Sequence, residues 1–195
     1  MLTFDEAAHR YFWNGSPVVN VTRVLGPLTD YSHVNPEALE NARLEGVAMH
    51  KMVELAVLGQ LDEDNLPEWL VPRLKAWRLF CKEARFVPEH SEERVYHPGL
   101  VYAGTLDLRG TFDGKERGIV DLKRSFYAGA VIGLQLAGYA GAVDHGKPKA
   151  EHHHRRGALR LLATGKYQYQ PFEDKNDFNV FTAALVMCKW KEKYQ

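Results

Sequence analysis

The stretch that decides the fold runs from Tyr102 to Lys123 and reads YAGTLDLRGTFDGKERGIVDLK. Its two ends are rich in apolar residues that alternate with polar ones, which is typical of β-strands. Between them lies the pair Asp113-Gly114, a strong hairpin signal. We therefore predict an antiparallel pair of strands within a larger α/β sheet.

Two acids and a lysine stand on these strands in a pattern that suggests a site. The alternation places Asp121 and Lys123 on one face of their strand. Asp107 lies between Leu106 and Leu108, so we expect both leucines to face the core and Asp107 to face the opposite side. Converging carboxylates repel unless a cation neutralises them, and oxygen ligands suit Mg²⁺ or Mn²⁺. A solvated ion pair on an exposed hairpin is the other interpretation.

The segment after these strands, from 126 to 143, has eighteen residues without a formal charge. A membrane span is one interpretation. Four glycines and Gln135 favour instead a helix of small residues packed in a soluble core. Gln135 and Tyr139 are four residues apart and share one helical face, so the pair either forms a core hydrogen bond or belongs to a site.

Signals elsewhere in the chain place the remaining elements. Asn14-Gly15 predicts a two-stranded opening, and Asn35-Pro36 predicts the start of a helix that carries His50. A second amphipathic helix follows. The spacings of Trp69, Trp77 and Trp190 are typical of core residues. Further expected elements are a strand over 93–96, a hairpin around 164–165 and a last helix over about 176–193.

Composition excludes several classes of protein. The 195 residues are 45% apolar, enough for one domain with a sizeable core. Lys plus Arg (25) equals Asp plus Glu (25), so no global field attracts nucleic acid or anionic lipid. Two cysteines are too few for a four-thiolate iron-sulfur cluster or a disulfide framework. The acids Asp5 and Glu6 do not fit a secretory signal, so we expect a cytoplasmic protein and no membrane partner.

Four short motifs occur in a specific order: a helical Gly46–His50 segment, then GTLD over 104–107, DLK over 121–123 and QLAGY over 135–139. Taken as a set, they resemble the RecB-like branch of the PD-(D/E)XK nuclease superfamily, and residues 4–25 resemble the start of its small phage-type or prophage-type members. The resemblance implies an α/β fold with a restriction-endonuclease-like core. In that fold a central mixed β-sheet is flanked by helices. We expect one nuclease domain over 1–195, made of an N-terminal β-hairpin extension (1–35) and the core (36–195).

The resemblance also implies roles for individual residues. The implied catalytic set is Asp107, Asp121, Lys123, Gln135 and Tyr139. The implied ligands of Mg²⁺ or Mn²⁺ are His50, Asp107, Asp121, the backbone carbonyl of Leu122 and the less constant acid Glu93. The implied contacts to nucleic acid are Arg124, Ser125, Gln135 and Tyr139.

A local excess of basic residues lies between Lys147 and Lys166, where Glu151 is the single acid. Arg155 and Arg156 within it are candidates for contacts to the phosphate backbone. A solvated loop and strand face is the alternative. The adjacent histidines 152–154 point in different directions on any regular element, so we do not expect them to share one ion.

The resemblance, together with the acids and lysine that carry it, implies a metal-dependent DNA exonuclease, and the two cysteines exclude an iron-sulfur cluster. We expect it to act on single- or double-stranded DNA that has an end, in phage or prophage recombination or DNA processing, with a possible recombination or replication protein as partner. The expected location is the cytoplasm of a bacterial or phage-infected cell. Two alternatives stay open: a structure-specific or restriction-like endonuclease, and a non-catalytic DNA-binding module that retains the nuclease fold.

Overall fold

The computed structural model describes residues 1–30, 32, 34–148, 152 and 154–194. The strands are β1 (Leu2–Asp5), β2 (Arg10–Trp13), β3 (Ser16–Asn20), β4 (Phe86–His97), β5 (Tyr102–Phe112), β6 (Glu116–Leu122), β7 (Arg155–Leu161) and β8 (Tyr167–Pro171). The α-helices are α1 (Val21–Leu25), α2 (Pro36–Val57), α3 (Val71–Glu83), α4 (Val131–Asp144) and α5 (Asp177–Tyr194). A short 3₁₀ helix covers Gly26–Leu28.

The strands form one mixed sheet whose centre is β5. Strand β4 pairs antiparallel with β5 along its length. On the opposite edge, β5 pairs first with β3, in parallel at Tyr102 and Ala103, and then with β6, antiparallel from Leu108 to Phe112. The sheet continues through β7 and β8, and β1 and β2 extend it beyond β3. The predicted mixed sheet is confirmed, and so is the hairpin at Asn14-Gly15, which β1 widens to three strands.

Because β3 and β6 share one edge of β5, a fork opens between them. Among the described strands, Gly104, Thr105 and Leu106 pair with β4 alone. The fork leaves a stretch of β5 open toward the helices, and Asp107 lies in it. It is the feature of the fold that positions the candidate site.

Helices cover both faces of the sheet, as predicted. Alternation along β6 shows the two sides: Ile119 packs against α4, and Val120 packs in the cluster built by α2 and α3. Trp77 is buried in that second cluster, as expected. Trp69 is 40% exposed and Trp190 on α5 is 51% exposed, so their prediction as core residues was wrong. Trp69 lies two residues before α3 begins, in the turn that leads into it.

Leu106 and Leu108 are both fully buried, as predicted, but they pack in different clusters. Leu106 packs with α1, α4 and α5, whereas Leu108 packs with α2 and α3. Strict alternation would place residues two apart on one face. The change of side falls at the fork, where β5 exchanges β3 for β6 as its neighbour.

The glycine-rich segment forms α4, which packs between the sheet and α5. Close packing explains its small residues, because a Cβ added at Gly138 would lie 2.9 Å from the ring of Phe181. Within the described ranges, no helix combines the length and the apolar character needed to cross a membrane.

Candidate metal centre and active site

The site begins where β6 leaves β5. The backbone N–H of Lys123 donates to the carbonyl of Leu159 on β7, at 2.9 Å. Successive N–H groups of a strand point to opposite edges, so the N–H of Leu122 points toward β5. There it donates to Asp107 Oδ2 at 2.6 Å. The Asp107 carboxylate thus satisfies a backbone group that the fork leaves without a strand partner, and this contact fixes its position.

His50 on α2 brings a ring into the same place. Its Nδ1 lies 3.3 Å from Glu92 Oε1 and 3.6 Å from Asp107 Oδ1. Its Nε2 lies 3.2 Å from the carbonyl oxygen of Leu122. One ligand atom each of His50, Glu92 and Asp107 lies within 4.8 Å of the others. Carboxylates, a carbonyl and an imidazole form a donor set that suits a divalent cation such as Mn²⁺.

The electrostatics of this group favour a positive charge at its centre. Burial alone would lower the pKa of His50. The carboxylates of Asp107, Glu92 and Asp121 outweigh that effect and raise the pKa of His50 to about 9. The imidazolium therefore supplies the counter-charge at neutral pH. A metal ion bound through this ring would have to displace its proton.

The acid that the structure brings to His50 is Glu92 rather than Glu93. Glu92 lies between the pairs Ser91–Leu108 and Glu93–Leu106, at the level of Asp107. Its backbone is in the left-handed region, with φ 50°, so its side chain departs from the regular alternation of the strand and reaches His50.

Glu93 instead contacts Arg109 with both oxygens, at 2.6 and 2.8 Å. The Pro98-Gly99 turn carries the sequence signal that could have found this register. Read as a four-residue connection over 98–101, it pairs His97 with Tyr102 and hence Glu92 with Asp107.

A second chain of contacts runs from β6 to α4. Lys123 Nζ lies 2.7 Å from Asp121 Oδ2 and donates to Gln135 Oε1 at 3.2 Å. Gln135 Nε2 in turn donates to the hydroxyl of Tyr139 at 3.1 Å. The polar pair on α4 is thus joined to Lys123 and is not an isolated core hydrogen bond. Two carbonyl or carboxylate oxygens hold the ammonium in one position.

Asp121 is the most deeply buried acid of the site. It is 1% exposed, and within the described part of the chain no donor other than Lys123 reaches either of its oxygens. Burial raises the pKa of Asp121, Lys123 lowers it and Asp107 raises it, to a net value of about 6. Asp121 stands outside the group of three ligands. Its Oδ1, which no donor reaches within the described residues, is nevertheless the kind of atom that a cation would satisfy.

The GTLD motif also has a packing reason. A Cβ added at Gly104 would lie 2.7 Å from the ring of Tyr139. Glycine therefore lets the ring lie directly against β5, where Tyr139 is 3% exposed. Beside it, the hydroxyls of Thr105 and Tyr11 are 2.7 Å apart, which ties the N-terminal strands to the fork.

The predicted contacts to nucleic acid divide into two groups. Arg124 and Ser125 directly follow Lys123 and are close to the site in the chain. Arg124 Nε binds Glu45 at 2.8 Å, and Ser125 Oγ accepts from the backbone N–H of Tyr127 at 3.2 Å.

Arg155 and Arg156 stand at the start of β7, beside Gly118 and Ile119, whereas Lys123 follows the other end of β6. Arg155 stacks over Phe112, and Arg156 binds Asp177 at 3.0 Å. The structure therefore does not bring this pair to the His50 group. Lys149, Glu151 and His153 of the same basic stretch lie outside the described residues.

No protein-family model matches this chain, and no curated protein is significantly similar to it. The functional interpretation therefore depends on the four motifs and on the contacts that their residues make at the fork.

Proposed function

We propose that this protein is a divalent-metal-dependent deoxyribonuclease that acts as an exonuclease. One observation supports the proposal above all: a metal-ligand group and a positioned ammonium lie at the same fork of the sheet. His50, Glu92 and Asp107 supply the ligand atoms, and Lys123 is held beside Asp121. Under this proposal the core is of the PD-(D/E)XK type, and the motif order places it in the RecB-like branch.

The donor set fits the proposed metal. His50, Glu92, Asp107 and the carbonyl of Leu122 would hold Mg²⁺ or Mn²⁺, with Asp121 supplying an orphaned oxygen from the second strand. An imidazole ligand suits Mn²⁺ better than Mg²⁺. When bound, the ion would offset the charge of the phosphate and lower the pKa of a water molecule.

The chain's own groups would orient the reactants. Lys123 carries a positive charge whose position is fixed by Asp121 and Gln135, so it can hold the attacking water and offset charge that develops on the phosphate. Hydrolysis forms one P–O bond from the water and breaks the ester P–O bond. One proton of the water goes to the leaving alkoxide and the other to solvent or phosphate. Tyr139 fixes Gln135, and through it the ammonium.

The expected substrate is DNA with an end, and the expected setting is recombination or DNA processing together with a replication or recombination protein. The test is to incubate end-labelled linear single- and double-stranded DNA, beside closed circular DNA, with EDTA, Mg²⁺ or Mn²⁺. We expect loss of linear DNA only, abolished by EDTA and by Lys123→Ala.

Lys51→Ala is the matched control, because Lys51 is on the same helix as His50 but pairs with Glu54 on the exposed surface. Cleavage of closed circles would point to an endonuclease. Binding without cleavage under either metal would contradict the enzymatic proposal and favour a DNA-binding module.

A further inference from the structure

Beside the candidate site, two arginines from different elements converge on one carboxylate. Arg124 Nε lies 2.8 Å from Glu45 Oε2, and an Arg73 guanidinium nitrogen lies 4.0 Å from the same oxygen. Glu45 is on α2, Arg73 is on α3, and Arg124 follows β6. The cluster therefore joins three separate parts of the fold at one anionic group.

An exposed aromatic ring extends this cluster. The Arg73 guanidinium lies 4.9 Å from the centroid of the Trp69 ring, and it donates to the Trp69 carbonyl at 2.7 Å. Only 17% of the Arg73 side chain is exposed, whereas Trp69 itself is 40% exposed. Arg73 is thus fixed in place, and it covers one face of a tryptophan residue that stays partly exposed.

The cluster is joined to the site through Arg124, which is the residue after Lys123. Glu45 precedes His50 by five residues on α2, about 7.5 Å along the helix axis and about 140° around it, so the cluster lies on another side of α2 than His50. A DNA strand whose scissile phosphate lies at the fork would offer its neighbouring phosphate first to Arg124.

The chemistry of the cluster matches that phosphate. A guanidinium binds carboxylate and phosphate oxygens with the same forked donors. The Arg124–Glu45 pair is exposed, and an exposed ion pair contributes little to stability, so the carboxylate can leave Arg124 at small cost. Unstacked bases stack on exposed aromatic rings regardless of their sequence.

Resting on the proposed nuclease function, we propose that Arg73 and Arg124 form a phosphate subsite for a DNA strand, which Glu45 occupies until the strand displaces it. Trp69 stacks a base of that strand. Because the base must be unstacked to reach the ring, the subsite selects a single-stranded segment next to the cleavage position.

The experiment measures binding of a fluorescein-labelled single-stranded oligodeoxynucleotide by anisotropy in EDTA, so that no cleavage occurs. Glu45→Gln removes the competing charge and should tighten Kd about three- to tenfold, because Arg73 and Arg124 no longer have to be released from it. Glu63→Gln is the matched control, since Glu63 is also an exposed acid paired with an arginine, Arg78.

Variants of the two arginines and the tryptophan of the cluster should weaken DNA binding rather than tighten it. Arg73→Gln and Arg124→Gln should weaken binding, and each should reduce the slope of log Kd against log salt by about 0.7, the value for one phosphate of a single strand. Trp69→Ala should weaken binding about tenfold for single-stranded DNA and less for a blunt duplex.

The outcomes separate this proposal from the nuclease proposal. If Glu45→Gln binds like the wild type and like Glu63→Gln, or binds more weakly, the subsite is refuted, while Mn²⁺-dependent cleavage by the wild type would still support the enzyme. If Glu45→Gln tightens binding but the wild type cleaves no DNA with either metal, the subsite stands and the nuclease proposal fails. Absence of any binding to DNA in EDTA refutes the subsite, and absence of cleavage by the wild type with either metal then refutes the nuclease as well.

Discussion

Asp121→Asn should raise the free energy of unfolding of the metal-free protein and abolish metal-dependent cleavage of DNA. The structure gives the reason: Asp121 is buried, and Lys123 is the one donor within the described residues that reaches its oxygens. An ionised carboxylate at such a position costs free energy that a neutral amide of nearly the same shape does not. We therefore infer that Asp121 is kept for its function, because an ionised acid at this position destabilises the fold.

The pKa of Asp121 sets the magnitude. It rises from its ordinary value of 3.8 to about 6 in the folded protein. Because the folded-state pKa lies above the unfolded value, the neutral carboxyl of Asp121 stabilises the fold relative to the ionised one. This stabilisation is complete below pH 3.8 and is lost as the pH rises through 6. At about pH 7.5 the ionised wild type is then destabilised by about 3 kcal/mol relative to a neutral residue, and at about pH 4.5 by about 1 kcal/mol.

Urea unfolding of the wild type and Asp121→Asn, in EDTA at both pH values, measures this difference. We expect the variant to unfold at higher urea, with an advantage that shrinks by about 2 kcal/mol on acidification. Titrating groups remote from Asp121 are common to both proteins and cancel in the comparison, whereas His50, whose pKa Asp121 helps to raise, contributes to the difference. A variant less stable than the wild type at pH 7.5, or an advantage independent of pH, would refute the assignment of Asp121 as a buried acid held at a cost.

Three further predictions follow from the contacts at the fork. Because the His50 pKa is about 9, its ion pair stabilises the fold fully below pH 6.5, and this stabilisation is lost as the pH rises through 9. Mn²⁺ must displace the His50 proton, so the Mn²⁺ affinity measured by calorimetry should rise up to about tenfold per pH unit between these values. In His50→Gln the affinity should lose this pH dependence. Glu92→Gln should weaken Mn²⁺ binding more than Glu93→Gln does, and equal effects would contradict the observed ligand group. Gly104→Ala should lower the free energy of unfolding by about 1–3 kcal/mol, because the new Cβ would press on the ring of Tyr139; an unchanged urea midpoint would contradict the close packing.

Short-range sequence patterns predicted the strands, turns and helix starts that neighbouring residues determine. Alternation and the Asp113-Gly114 turn define β5 and β6, and Asn35-Pro36 marks the start of α2. The structure shows Lys123 and Gln135 in contact, which is consistent with the motif order.

What the sequence missed depends on pairing between distant residues. Glu92 reaches His50 because of the register that the turn after β4 sets and because its own backbone is left-handed, and neither feature shows in the alternation within β4. Leu106 and Leu108 pack on different sides because β5 changes neighbours between them. The charge excess around Arg156 gave no indication that this side chain would bind Asp177 inside the fold.

The most direct test of a metal-dependent hydrolytic site at the fork measures Mn²⁺ binding and DNA cleavage on the same samples of three proteins: wild type, Asp107→Asn and Lys123→Ala. We expect Asp107→Asn to lose both binding and cleavage, because it removes a ligand. Lys123→Ala should retain Mn²⁺ binding and lose cleavage, since the ammonium acts on the reactants and does not hold the metal. Cleavage that survives in Asp107→Asn, or that survives undiminished in Lys123→Ala, would contradict the proposed site.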